Sequence, residues 1–245
     1  KEDKIEFAAT FRRLIKNKNY VWGVVAQFFY VGAQIAVWSF VIRYAMVQLN
    51  FDGVLASLGN DPSVGVIIDT LRHVEPVAGA FYNGCEWLGL NDLLPRTAEQ
   101  AAATYYIMSL MLFVLMRFLC TGIMKYVKAY KLLTVLGVLA VLCCVGAMFG
   151  RGDFGVYCVI GISGCMSLMF PTIYSFGLMG LGKDTKIGGS GMVMAIAGAA
   201  VLTQIQGIVS DQTGSIMTAY IVPAIGFAIV AYYGYFIARK QVSVN

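Results

Sequence analysis

Six long apolar stretches, almost empty of charge, constrain this chain more than any other feature. About 20 consecutive apolar residues cross a bilayer core as a helix. Six runs meet that length: Tyr20–Val47, Ala101–Ile123, Leu132–Phe149, Phe154–Leu181, Ile187–Val209 and Ile216–Ala238. Two of them are longer than the core requires, so tilt or protrusion is expected. Pro171 in the fourth and Pro223 in the sixth each remove a backbone donor and favour a kink or bend. Composition points the same way. Only 13% of residues are charged and 59% are hydrophobic, against about 25% charged in an ordinary soluble domain. The fold class that follows is an all-α membrane protein, a six-transmembrane-helix bundle.

Lys and Arg gather on alternate connections. Lys1, Lys4, Arg12, Arg13, Lys16 and Lys18 precede the first run. Lys125, Lys128 and Lys131 follow the second, Lys183 and Lys186 the fourth, and Arg239 and Lys240 the sixth. The other side holds Arg72, Arg96 and Arg151, with Arg43 at its boundary. The positive-inside rule therefore puts both termini in the cytoplasm. The net charge of +5 reflects this topology. No basic patch interleaved with exposed aromatics is present, and no nucleic-acid partner is expected.

The chain divides accordingly. Residues 1–19 read as a cytoplasmic linker with an amphipathic helix, whose Phe7, Phe11 and Leu14 share one face against the inner membrane surface. Residues 20–238 form the transmembrane domain, including a periplasmic insertion at 48–100, and residues 239–245 form a cytoplasmic tail. The insertion is long for a connection and is expected to pack over the mouth of the bundle, with Val64–Val74 patterned as a short amphipathic helix. The first residue is Lys1, no signal peptide is visible, and a further segment upstream is expected.

Polar residues inside the runs fall on helical stripes, and such residues usually face the bundle interior or a wet cavity. Span one carries Gln27, Tyr30, Gln34 and Trp38 at spacings of three, four and four. The amides offer donors and acceptors suited to a hydroxyl-rich ligand, and the rings beside them suit the C–H face of a sugar. Span two carries Tyr106, Ser109, Phe113 and Arg117; span four carries Ser163, Ser167, Phe170 and Tyr174. For the serines, interhelical hydrogen bonding and packing is the preferred reading. For Gln27 and Gln34 it is a solvated cavity wall. Arg117 has two competing readings, a ligand or gate contact and a side chain snorkelling to the nearby cytoplasmic surface.

Span five is dense in small residues (Gly188, Gly189, Gly191, Gly198 and the alanines between them), which permits close helix approach. Thr203, Gln204 and Gln206 add polarity near its outer end. Of six cysteines, Cys120, Cys143, Cys144, Cys158 and Cys165 fall inside apolar runs, and Cys85 is placed in a loop. The only histidine is His73, and no metal-ligand spacing occurs, so the thiols read as packing groups. No Asp or Glu lies within any of the six runs. That excludes an intramembrane enzyme needing a base or metal ligand, and removes the usual proton-coupling group from these helices.

The run from Ala26 to Gln34, followed by Trp38-Ser39 and Ile42-Arg43-Tyr44, resembles the seventh helix of the L-fucose–proton symporters, within the fucose–galactose–glucose branch of the major facilitator superfamily. The resemblance continues at Arg117-Phe118 with Gly122, at Pro171-Thr172-Ile173 with Ser175, at Leu181 to Lys186, and at Val209-Ser210-Asp211. It covers nearly the whole chain outside residues 50–100. Glucose/galactose relatives tend to carry an acid at the position of Gln34 and to lack Trp38, so these two residues tilt the resemblance toward fucose. Phe170 departs from it, because the family commonly has a tyrosine there that is implicated in substrate contact.

The resemblance implies a bacterial inner-membrane permease of twelve helices in two halves. This chain would be the C-terminal half, helices seven to twelve. Its function would be L-fucose–proton symport by alternating access, with no cofactor and with the proton-coupling carboxylates on the N-terminal half. The partners implied are that half, the lipid bilayer and a small-molecule sugar. The site residues implied are Gln27, Tyr30, Gln34 and Trp38, with Phe113, Arg117, Phe170 and Tyr174 as second candidates. The alternatives are a proton-coupled transporter of glucose, galactose or an N-acetyl sugar and, from another class, a six-helix channel.

Overall fold

The computed structural model describes residues 7–50, 76–90, 95 and 97–242. Ten α-helices are found among them: α1 (Phe7–Lys16), α2 (Lys18–Leu49), α3 (Pro76–Trp87), α4 (Ala98–Ile123), α5 (Ala129–Phe149), α6 (Asp153–Met166), α7 (Met169–Leu178), α8 (Thr185–Met194), α9 (Gly198–Thr213) and α10 (Ile221–Val242). Single 3₁₀ turns at Gly182–Asp184, Ala195–Ala197 and Thr218–Tyr220 join some of them. Six spans are long and apolar enough to cross a membrane: α2, α4, α5, α6 with α7, α8 with α9, and α10 with its preceding turn. These are the six apolar runs, extended by a few residues at most ends. The α9 extension takes in Asp211, which is exposed in its last turn.

The helix α2 is the hub. It packs against α1, α4, α6, α7, α8, α9 and α10. At 32 residues it is about 48 Å long at 1.5 Å per residue, well beyond the hydrocarbon core. Its start is fixed by Asn17, whose side chain accepts from the backbone N–H groups of Asn19 and Tyr20. Its polar side chains then bond carbonyls near the C-terminal ends of neighbouring helices. Asn19 Nδ2 donates to the Phe176 carbonyl near the end of α7 (2.7 Å). Tyr30 donates to the carbonyl of Met166, the last residue of α6 (2.9 Å). Tyr44 donates to the Ala147 carbonyl in the last turn of α5 (2.6 Å). Gln48 clamps the α5–α6 turn, donating to the Gly150 carbonyl (3.0 Å) and accepting from the Gly152 N–H (3.1 Å).

Span four is broken as Pro171 requires. The proline lacks the N–H that would bond the Ser167 carbonyl one turn earlier, and α6 ends at Met166 with α7 starting at Met169. Pro223 behaves differently from the expectation of a bend. It sits in the first turn of α10, where its absent N–H has no intrahelical partner to lose, and it marks the helix start. Span five carries a break the sequence reading did not contain, the 3₁₀ turn at Ala195–Ala197. There α9 meets α2 backbone to backbone. A Cβ on Gly198 would run into the Phe28 carbonyl oxygen, and one on Gly32 would lie 2.7 Å from the Gly198 carbonyl oxygen.

Two further expectations change. Cys85 lies on α3, not in a loop, and is buried. On α1 the apolar face divides: Leu14 is buried in the bundle, whereas Phe11 is 55% exposed. The 100° step per residue sets them 60° apart, enough for the bundle to cover only one. The Phe7 side chain and Val64–Val74 lie outside the described residues. Of the insertion, α3 is described, and its buried Tyr82 lies within hydrogen-bonding distance of Thr104 on α4 (3.2 Å).

Close packing, not hydrophobic transfer, must hold these helices together in lipid. Gly198→Ala is therefore expected to lower the thermal unfolding midpoint in detergent, at a cost of about 1–3 kcal/mol for overpacking. Gly207→Ala, where an added Cβ meets nothing within 4 Å, should leave the midpoint unchanged or raise it. Circular dichroism melts of the two variants distinguish them.

Candidate functional site: an aromatic wall around Gln34

The row Tyr30, Gln34, Trp38 follows one face of α2 because residues four apart overlie each other. At its outer end, Trp38 Nε1 donates to Ser163 Oγ of α6 (3.2 Å). The indole also meets Phe113 of α4 edge to face, with centroids 5.3 Å apart. About 12 Å further in, at 1.5 Å per residue, Tyr30 lies against Phe170 of α7 (6.3 Å). Phe170 in turn stacks nearly parallel with Tyr174 (6.4 Å, 7° between planes). The break in span four places this pair. It restarts the helix at Met169, so Phe170 and Tyr174 rise on a new axis. Tyr174 also borders a groove of about 580 Å³ between α7 and α8, shared with Lys186 and Ser190.

Gln34 stands between the two aromatic groups. It is half-buried and makes no hydrogen bond among the described residues. Trp38, Phe113, Phe170 and Tyr174 are half-buried as well, so this row forms part of the surface of the half-bundle. An amide held between rings presents one acceptor and two donors. That is a pattern for a ligand with hydroxyls and an apolar face.

Gln27 does not belong to that surface. It is fully buried, and both amide atoms lack a partner. In the same part of α2 the glycines bring neighbouring backbones in, Gly23 against Gly177 and Gly198 against Phe28. Gln27 is thus closed off from solvent, against the expectation of a solvated wall, whereas Gln34 is half-buried, although the two share a helix face. Tyr30 is also fully buried, but its phenol is engaged. Gln206 on α9 repeats the condition of Gln27, being buried with both amide atoms unpaired.

Arg117 is exposed and forms no ion pair with a described carboxylate. The sequence assigns Ser163 to an interhelical contact without naming its partner, and it gives no sign of the Met166 carbonyl. Both hold the wall in place: one fixes the indole and the other the phenol. Only the stripe at Ser163 and Ser167 hinted at the first, and a backbone carbonyl leaves no sequence signal. Among the described residues no group of three His, Cys, Asp or Glu is placed to hold a metal.

The six spans match half of the major facilitator superfamily fold. A crystal structure of the Escherichia coli fucose:proton symporter superposes with a TM-score of 0.74 at 30% identity, over 94% of this chain and 45% of that one. The structure of FucP, a major facilitator superfamily transporter, in the outward conformation gives 0.73 at 30% identity. The chain is homologous over nearly all its length to L-fucose–proton symporters. It is 32% identical to that of Haemophilus influenzae over 238 residues, covering 95% of this chain, and 30% identical to that of Escherichia coli over 239 residues, covering 98%. It is 27% identical to a glucose/galactose transporter of Brucella abortus over 219 residues. No family model matches the chain. The chain spans 44% of the length of the curated symporters it matches.

The geometry separates scaffold from surface. Tyr30→Phe removes the bond to Met166 and is expected to cost about 0.6 kcal/mol, up to about 1.7, as measured for interhelical bonds in membranes. Gln34→Leu removes no bond and should leave unfolding in detergent unchanged or slightly harder. Denaturation by mixed micelles measures both.

Proposed function

We propose that this chain is the C-terminal half of an L-fucose–proton symporter of the inner membrane, with both termini in the cytoplasm. The observation that carries the reading is the unengaged amide of Gln34 between Trp38–Phe113 and Tyr30–Phe170–Tyr174, in a chain homologous to L-fucose–proton symporters. In this reading the amide meets sugar hydroxyls, the indole and phenyl rings cover the C–H face, and Phe170 and Tyr174 close the inner side. Arg117 stands where a ligand or gate contact with the other half is reachable. Gln27 supports the wall from beneath.

The N-terminal half supplies the opposite wall, and the sugar sits between the halves as they rock to expose it to either side. The middle of each span here is free of carboxylates, which leaves the proton-coupling groups to that partner half. The positive-inside pattern supports cytoplasmic termini. The likeness to the Brucella abortus glucose/galactose transporter supports a second reading, in which the carried sugar is glucose or galactose.

Uptake of labelled fucose by the full-length protein in vesicles held under an inward proton gradient, acid outside, tests both readings. Gln34→Ala and Trp38→Ala are each expected to raise the half-saturating concentration by about tenfold, the loss of roughly 1.4 kcal/mol. Unchanged affinity in both variants sinks the site. Better competition by glucose or galactose than by unlabelled fucose selects the second sugar class. The six-helix chain alone is expected to accumulate no sugar; accumulation against a gradient would overturn the half-transporter reading.

A further inference from the structure

The helix α1 enters the membrane-spanning α2 through a single residue, Asn17, which is the cap of α2. It therefore lies at the level of the bilayer surface. Its circumference is sorted into three sectors. Leu14 and Thr10 are buried against the bundle, where α1 touches α2 and α8. Beside them Arg13 holds Asp184 with two bonds, Nε to Oδ2 at 2.9 Å and Nη2 to Oδ1 at 2.8 Å. Thr10 is bridged into the same pair. On the other flank Phe11 and Ile15 are 55% and 57% exposed, and beyond them Arg12 and Lys16 are exposed as well. Neither Arg12 nor Lys16 has an acidic partner among the described residues.

An apolar flank at the depth of the headgroups, edged by cations with no acidic partner among the described residues, fits one kind of surface. Soluble partners do not reach that depth, and a neutral lipid leaves the two charges uncompensated. We propose that α1 is a contact site for anionic phospholipid, in which Phe11 and Ile15 enter the acyl boundary and Arg12 and Lys16 meet lipid phosphates. Through Arg13 and Asp184 the same helix is fastened to the 3₁₀ turn that opens span five. Leaflet charge thereby bears on the inner end of the span that packs backbone to backbone on α2. This contact is independent of which sugar is carried and requires only that α2 cross the bilayer.

The test is amide hydrogen exchange of residues 10–16 in the full chain, reconstituted in phosphatidylcholine vesicles with and without phosphatidylglycerol. Exchange is expected to be on the order of tenfold slower with phosphatidylglycerol, from roughly two cations at the surface. Added salt should erode the difference. Arg12→Gln with Lys16→Gln should abolish it. Arg13→Gln should speed exchange in both lipids while keeping the difference, which separates the lipid contact from the Asp184 anchor. Equal exchange in the two lipids, or a difference that survives the double substitution, overturns the proposal. So does full protection of α1 in neutral lipid by a co-expressed N-terminal half, because the exposed flank would then belong to a protein partner.

Discussion

The bilayer's refusal to hydrogen-bond governs this structure. Every carbonyl left open at a helix end must find a partner within the protein or reach the surface. Three helices that end against α2 present carbonyls near their ends, at Ala147, Met166 and Phe176, and α2 meets them with Tyr44, Tyr30 and Asn19. The same helix clamps the α5–α6 turn through Gln48. The long first span is thus the capping element of the bundle. At the break in span four, Tyr30 bonds the carbonyl of Met166, the last residue of α6.

That arrangement decides which polar groups remain for a ligand. Most of the polar reach of α2 is spent inward on helix ends. Trp38 is half spent, since its N–H is held by Ser163 while its ring faces Phe113. Gln34 is left with its full capacity at the surface. Two rings of this wall, those of Tyr30 and Trp38, are fixed by bonds to neighbouring helices, and the one uncommitted amide sits between them. Fixed rings lose little freedom when they cover a ligand, which is the general advantage of a preorganised site.

Span five is organised by a different rule. Its turn at Ala195–Ala197 lies where Gly198 touches the α2 backbone near Phe28 and Gly32. Small residues allow that approach, and no larger side chain stands between the two backbones. At the inner end the span is held by the Arg13–Asp184 pair, close to the water boundary. One end is fixed by steric fit and the other by charge, and the two respond to different conditions.

The six spans and their apolar lengths were legible in the chain itself, since only a run of about twenty apolar residues crosses the core. So was the broken fourth span, because Pro171 cannot donate. The stripe Tyr30, Gln34, Trp38 was legible from helical spacing, and its partners Phe113, Phe170 and Tyr174 from theirs. Periodicity assigns a face to a residue but not the depth of what covers that face. Gln27 and Gln34 are alike in the sequence, and tertiary packing buries one fully while leaving the other half-buried. The same holds on α1, where Leu14 entered the bundle and Phe11 did not. The turn at Ala195–Ala197 and the pairing of Arg13 with Asp184, 171 positions away, depend on which helices meet. Local sequence does not encode that, because contact between spans is set by the whole bundle.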